Sequence, residues 1–298
     1  MTTRRVRRYV REHRFALCLL MPATVYTVFF SIVIVFTLLQ LALTGLDGHG
    51  PTLTNFQALL TSRDFWLSLW RTLVFVLVGT PLQLLAGLGL ALLVNRRFAG
   101  RGLVRSAFLL PIAIPGLVTA AIVKYMLFSY PFGHVNDAIL AVRGGLGFES
   151  AEPVNWYASP MLSLGLALVA KVWRDMPISM LILLAGLQSI GRDQLDAART
   201  LGASSRQQFW YITFPLLVPA ISTVLVLRSI EIWKEFLFPY IIAPSYPVLG
   251  VLINTFYHEH RNPPLAAALA LLLLLLILGF SALLTRGLHR IEEGLVRT

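Results

Sequence analysis

Long apolar stretches, rather than amphipathic periods, organise this chain. Six windows, approximately 16–43, 67–94, 103–129, 161–187, 216–243 and 264–285, are apolar throughout most of their length. Each is long enough to cross roughly 30 Å of hydrocarbon at about 1.5 Å per helical residue. The pattern predicts an all-α polytopic membrane protein with six transmembrane helices. One polar passage interrupts it, the elbow 191–215 between the fourth and fifth windows, "GRDQLDAARTLGASSRQQFWYITFP".

Local chemistry predicts helix, break, helix within that elbow. Asp193, with Asp196 three residues on, resembles a capping box that opens a first helix, and Ala197 and Ala198 favour its continuation. Gly202 suits the left-handed residue that closes a helix. Ser204 followed by Gln207 is an S-x-x-Q capping box opening a second helix. Pro215 and Pro219 mark the start of the fifth span. An amphipathic segment with Trp210 and Tyr211 also fits a helix lying in the headgroups.

Composition sharpens the membrane reading. The chain is 57% hydrophobic and 13% charged, against about 45–50% and about 25% in soluble domains. Its formal charge of +11 is a matter of topology rather than of nucleic-acid binding. Sixteen of the 25 Lys and Arg residues fall in the N-terminal run, the loop 95–105, the elbow with its approach, and the C-terminal tail; only Arg63, Arg143 and Arg261 fall in the opposite loops. By the positive-inside rule both termini and the elbow are expected in the cytoplasm. Residues 1–15 form a basic cytoplasmic segment suited to anionic headgroups. The apolar run after it is too long for a signal-peptide core and lacks an A-x-A site, so it reads as a span. Cys18 is the single cysteine, so no disulfide forms within the chain.

Seven positions of the elbow, Asp196, Ala197, Ala198, Gly202, Ile212, Phe214 and Pro215, give D-A-A-x3-G-x9-I-x-F-P. This resembles the EAA signature of bacterial ABC importer permeases, E-A-A-x3-G-x9-I-x-L-P, with Asp196 for Glu and Phe214 for Leu. The stretch 54–115, "LLAGLQSI" and "GASSRQQFWYITFPLL" are similar to the carbohydrate, or maltose-type, branch. The resemblance implies a permease of the bacterial cytoplasmic (inner) membrane whose first elbow helix couples to an ATPase. Asp196, Ala197, Ala198, Gly202, Ile212 and Pro215 would carry that coupling, with Asp196 braced to Arg199. Implied partners are a second permease, homologous but different, two ABC ATPase subunits, and an extracytoplasmic substrate-binding protein docking on loops 44–66 and 130–160. No G-x4-G-K-[S/T] loop occurs here, so ATP and Mg are expected on the ATPases, and this chain needs no cofactor of its own.

The fourth and fifth windows carry charges near their centres: Lys171, Arg174 and Asp175, then Arg228, Glu231, Lys234 and Glu235. A charge at mid-bilayer costs at least about 2.5–3.5 kcal/mol, so these groups need partners or water. On regular helices Lys171, Arg174, Asp175 and Ile178 share one arc, and Arg228, Glu231, Lys234 and Glu235 another. Two readings follow: an ion-pair network locking the spans, or a polar site at mid-depth. The resemblance to maltose-type permeases places cargo-contacting positions on Arg174, Asp175, Ile178, Arg228, Ile232 and Glu235, with Glu231 on the same arc. That family is small, aromatic and amide-rich there, whereas this chain is ionic, which fits a sugar or an acid- or amine-bearing solute. Trp173 and Trp233 point away from the arcs and read as packing residues. His134, His258 and His260 lie on outer loops without a full ligand set, so no metal site is expected. No nucleophile–base pair occurs in the spans, so no catalytic residue is expected. An ion-coupled secondary transporter using the midplane carboxylates is the rival reading, and it leaves the elbow unexplained.

Overall fold

The computed structural model describes residues 14–45, 51–146 and 152–296. The basic segment 1–15 therefore lies almost wholly outside the described residues, as do parts of the loops 44–66 and 130–160. The described residues form two compact units, one of residues up to Thr61 with Phe256–Leu271, the other of Ser62–Thr255 with Leu272 onward.

In the smaller unit, α1 (Arg14–Leu43) is followed by α2 (Thr54–Thr61). The buried Asn55 amide donates to the carbonyls of Ala42 and Thr44, both at 2.9 Å, and so stitches the turn between these helices. Most α1 side chains are exposed apolar groups in the isolated chain.

The larger unit contains α3 (Arg63–Asn95), α4 (Arg101–Ala113), α5 (Gly116–Ala121, extended by a π-helical turn to Leu127), α6 (His134–Gly145) and α7 (Pro160–Ser189). The elbow follows as α8 (Arg192–Thr200) and α9 (Ser205–Gln208). A π-helical turn joins α9 to α10 (Phe214–Trp233), and α11 (Leu237–Ile242) and α12 (Leu249–Asn254) come next. The last helix, α13, runs Pro263–Val296.

Among the described residues, four helices are long and apolar enough to cross a membrane: Leu19–Leu43, Arg63–Asn95, Ser205–Trp233 and Pro263–Gly294. Two of the expected spans differ from straight helices. The window 103–129 is bent by 86° between α4 and α5, because Pro115, and Ile114 before it, cannot continue a helix. The window 216–243 ends as a helix at Trp233 and restarts at Leu237. The window 161–187 is a single thirty-residue helix, α7, with three charges near its middle.

The core is the seam of α3, α7 and α10, with Ala91, Val94, Met180, Leu183, Leu184, Leu217 and Val224 buried. Small residues set its closeness. A Cβ added at Gly87 would meet Ser179 Cβ at 2.5 Å and the Met180 backbone N at 2.9 Å. At Gly186 it would meet the Ala220 side chain at 2.7 Å. Without a hydrophobic drive between helices in lipid, such close approach is a main source of association. Gly87→Ala should therefore destabilise the fold by about 1–3 kcal/mol, the usual cost of overpacking. Gly89→Ala, where nothing lies within 4 Å, should leave the thermal unfolding midpoint in nanodiscs unchanged.

Candidate functional site

Two interrupted helices meet the charged middle of α7. The ammonium of Lys171 lies 2.7 Å from Asp175 Oδ2 and 2.7 Å from Glu235 Oε2. Arg174 Nη1 donates to Asp175 Oδ1 at 2.8 Å. These side chains are 8% (Lys171), 3% (Asp175), 7% (Glu235) and 27% (Arg174) exposed. Glu235 is not on the α10 arc as expected from a regular helix. The helix ends at Trp233, so Glu235 sits in the break and turns inward to Lys171. Its other oxygen accepts the Phe238 N–H at 3.0 Å, one of the orphan donors at the start of α11. Lys234, the residue just past the end of α10, keeps the helical bond from its N–H to Ile230 O at 3.3 Å.

The bend between α4 and α5 reaches the same place. A Cβ at Gly116 would lie 2.8 Å from Leu237 Cδ2 and 3.4 Å from Arg174 Nε. The absent Cβ lets the Leu237 side chain and the Arg174 guanidinium lie close against α5. Irregular backbone at membrane depth is tolerated only where protein or a cavity surrounds it, and broken helices commonly frame transporter sites.

Of the other expected residues, Arg228 Nη1 is 3.1 Å from Glu231 Oε2, with the Arg228 side chain buried and that of Glu231 43% exposed. The alignment is poor, and Arg228 Nε and Nη1 make no hydrogen bond. Ile178 is half-buried on α7. Ile232 is buried, with its Cδ1 3.0 Å from where a Gly79 Cβ would be, so it packs on α3. Trp233 is buried, edge to face with Phe280 at 5.7 Å. Trp173 is not fully packed: it is half-open and lines a cavity of about 270 Å³ with Ile114, Thr119 and Val123.

The elbow has the expected helix–break–helix form with one difference at its start. Gly191, not Asp193, is the N-cap of α8, and no side chain caps it. Asp193 lies in the first turn, where its charge complements the helix dipole. At the other end Ala203 N–H donates to Ala198 O at 3.0 Å and Gly202 N–H to Arg199 O at 2.9 Å. That is a complete Schellman closure, with Gly202 at φ +83°. The Ser204–Gln207 capping box is present in both directions. Asp196 pairs with Arg199 at 2.9 Å. Ala198 is buried and Ala197 exposed, while Ile212 and Pro215 are half-buried. Leu201 and Tyr211 stand out, 88% and 80% exposed.

Two organising residues escaped the sequence reading. Asn136, fully buried, accepts the Val154 N–H and the Trp156 indole N–H and donates to Val154 O at 3.1 Å, so it ties α6 to the segment that follows it. Glu235 as a cap for Phe238 was signalled only by Pro239, since proline favours the first turn of a helix.

The cluster makes its own stability prediction. Lys171→Met should leave buried Glu235 without its cation and Asp175 with Arg174 alone, and lower stability by about 3–5 kcal/mol. Glu231→Gln, at a half-open pair, should change it by less than about 1 kcal/mol. Thermal unfolding in nanodiscs measures both.

Residues 83–290 match the family model described as the inner membrane component of binding-protein-dependent transport systems. The chain is 36% identical over 195 residues to the trehalose/maltose transport system permease protein MalF of Thermococcus litoralis, covering 65% of this chain and 63% of that one. It thus spans somewhat under two thirds of that relative's length. It is 34% identical over 239 residues to the sulfoquinovosyl glycerol transport system permease protein SmoG of Agrobacterium fabrum, covering 80% and 72%. Among solved structures it superposes on a chain of a bacterial ABC transporter involved in the import of the acidic polysaccharide alginate, with a TM-score of 0.79, 22% identity and coverage of 96% and 99%. The latter shows the same fold. The chain belongs to the family of binding-protein-dependent transport system inner membrane components, the permeases of ABC transporters, and is a multi-pass membrane protein.

Proposed function

We propose that the chain is one transmembrane permease subunit of an ATP-driven importer, forming half of the pathway for a sugar or related polar solute. It would cross the bacterial inner membrane six times, α7 and the bent α4–α5 pair included, with both termini and the elbow in the cytoplasm. A second, homologous permease would complete the pathway. Two ABC ATPases would bind ATP and Mg and grip the elbow, and a substrate-binding protein would deliver cargo to the outer loops. The relatives' names, trehalose/maltose and sulfoquinovosyl glycerol permeases, support a carbohydrate cargo.

The observation that carries this reading is mechanical. The second elbow helix runs without a break into the following span, Ser205–Trp233, twenty-nine residues long. At about 1.5 Å per residue it is a rod of roughly 43 Å. One end is the capping box at the elbow; the other is Lys234 and Glu235 at the ionic cluster. A displacement of the elbow by an ATPase is thereby delivered to the site. Asp196, Ala197, Ala198, Gly202, Ile212 and Pro215 transmit it at the near end. Arg174, Asp175, Ile178, Arg228, Glu231 and Glu235 receive it at the far end, with Ile232 as the packing contact to α3.

Affinity purification of the tagged chain from its membrane should recover a Walker-motif ATPase and a second polytopic permease in stoichiometric amounts. Recovery of the chain alone, with uptake surviving ATP depletion, would remove the importer reading. Within the complex, Gly202→Val forces a β-branched residue to φ +83°, against a left-handed penalty of roughly 1–2 kcal/mol or more. Uptake should fall while ATP hydrolysis continues. Gly191→Ala, at φ −61°, should transport normally, since any residue adopts that conformation.

A further inference from the structure

We propose that the solute carries an acidic group, and that Lys234 is a specificity-determining residue of the site; this rests on the importer reading above. The charged atoms of the site divide into those already engaged and those left free. Lys171 and Arg174 occupy both oxygens of Asp175, and Lys171 and the Phe238 N–H occupy both oxygens of Glu235. Every oxygen of these two carboxylates thus already holds a cation or an amide, and with side chains only 3% and 7% exposed they offer a solute amine little access. Glu231 is the one acid of the set that is partly open, and its charge is matched by Arg228.

The donors are in the opposite condition. Arg174 Nε is buried and makes no hydrogen bond, and the same is true of Arg228 Nε and Nη1. Lys234 is exposed in the isolated chain, and no carboxylate among the described residues lies within ion-pair distance of it. The set thus holds four cations, Lys171, Arg174, Arg228 and Lys234, against three carboxylates, Asp175, Glu231 and Glu235.

The depth of Lys234 makes the imbalance consequential. Its neighbour Glu235 is fixed 2.7 Å from Lys171, which lies eleven residues, about 16 Å at helical rise, inside the nearer end of α7. The antiparallel packing of α7 on α10 then sets the levels of the rest. Gly186 meets Leu217 and Ala220 at one end, and Lys171 meets Glu235 at the other. Interpolation puts Arg174 level with Glu231 and Arg228 level with Ile178. In level, the unspent donors therefore run from Lys234 through Arg174 to Arg228 along the α7–α10 pair. An ammonium at membrane depth needs a counter-charge. A carboxylate, sulfonate or phosphate on a sugar supplies one, and its oxygens suit guanidinium donors bidentately.

The test uses the assembled complex in proteoliposomes with its binding protein. Three probes are compared: a uronic-acid disaccharide, its neutral counterpart and its amino-sugar counterpart. ATP-dependent uptake of the uronate over both others is expected. Lys234→Gln should lower uronate uptake by roughly tenfold or more, the scale of losing one member of a desolvated charge pair. Lys234→Arg should largely restore it, and neither variant should shift the thermal unfolding midpoint. Uptake confined to the neutral or amino probe overturns the acidic solute while leaving the importer standing. Uronate uptake indifferent to Lys234→Gln overturns the assignment of Lys234 and points to a carboxylate of the second permease as its partner. ATP-independent uptake, or none of any probe with an ATPase rate that the loaded binding protein does not raise, counts against the importer reading itself.

Discussion

The ammonium of Lys171, held 2.7 Å from both Asp175 and Glu235, is the constraint on which the larger unit depends. A break in a span exposes backbone groups that lipid cannot satisfy. The break after Trp233 is tolerable because Glu235 does two things at once, accepting the Phe238 N–H and neutralising Lys171. Neither role works alone: an unpaired buried carboxylate could not serve as a cap at acceptable cost, and an unpaired Lys171 could not stay buried. An apolar replacement of the whole set could pack as well or better. What the ions provide is a fixed register between α7 and an irregular segment whose own backbone bonds reach back only to Ile230 and Ile232 of α10.

Glycine supplies the complementary condition. At Gly116 the absent Cβ admits Leu237 and the Arg174 guanidinium. At Gly250 it admits the Glu235 carbonyl, which an added Cβ would meet at 2.6 Å. Both glycines thus face residues of the second break or the cation beside it. The two interrupted spans are therefore positioned by each other as well as by α7.

The sequence made the elbow legible almost residue by residue, because helix caps and left-handed glycine are local chemistry. Gly202, the Ser204–Gln207 box and the Asp196–Arg199 pair all follow from spacings of four residues or fewer. Only the N-cap was misplaced, since Gly191 has no side chain to advertise it. The apolar windows were legible too, but not their continuity. Hydropathy averages over some twenty positions and does not register a three-residue interruption such as 234–236. The consequence fell on the site. Periodicity placed Glu235 on the Arg228 arc, whereas the break frees it to meet Lys171 on another helix. Long-range partners of this kind, and the Asn136 hub with Val154 and Trp156, have no signal in a single chain's local pattern.

The geometry of α7 and α10 also bears on how a push at the elbow would act. These two helices flank the elbow in sequence and run antiparallel. They are joined at one end by α8 and α9, and at the other by the Lys171–Glu235 pair. Near the elbow end, Gly186 lets α10 lie against α7 at Leu217 and Ala220. The result is a closed frame: elbow, rod, ion pair, rod. In an open frame a force on α8 would splay the two spans and dissipate before reaching mid-depth. In a closed one the spans move together, and the charges at the far end change their exposure as a group. The ionic lock and the elbow are on this view two corners of one body, and the stiffness of each is useful only because of the other.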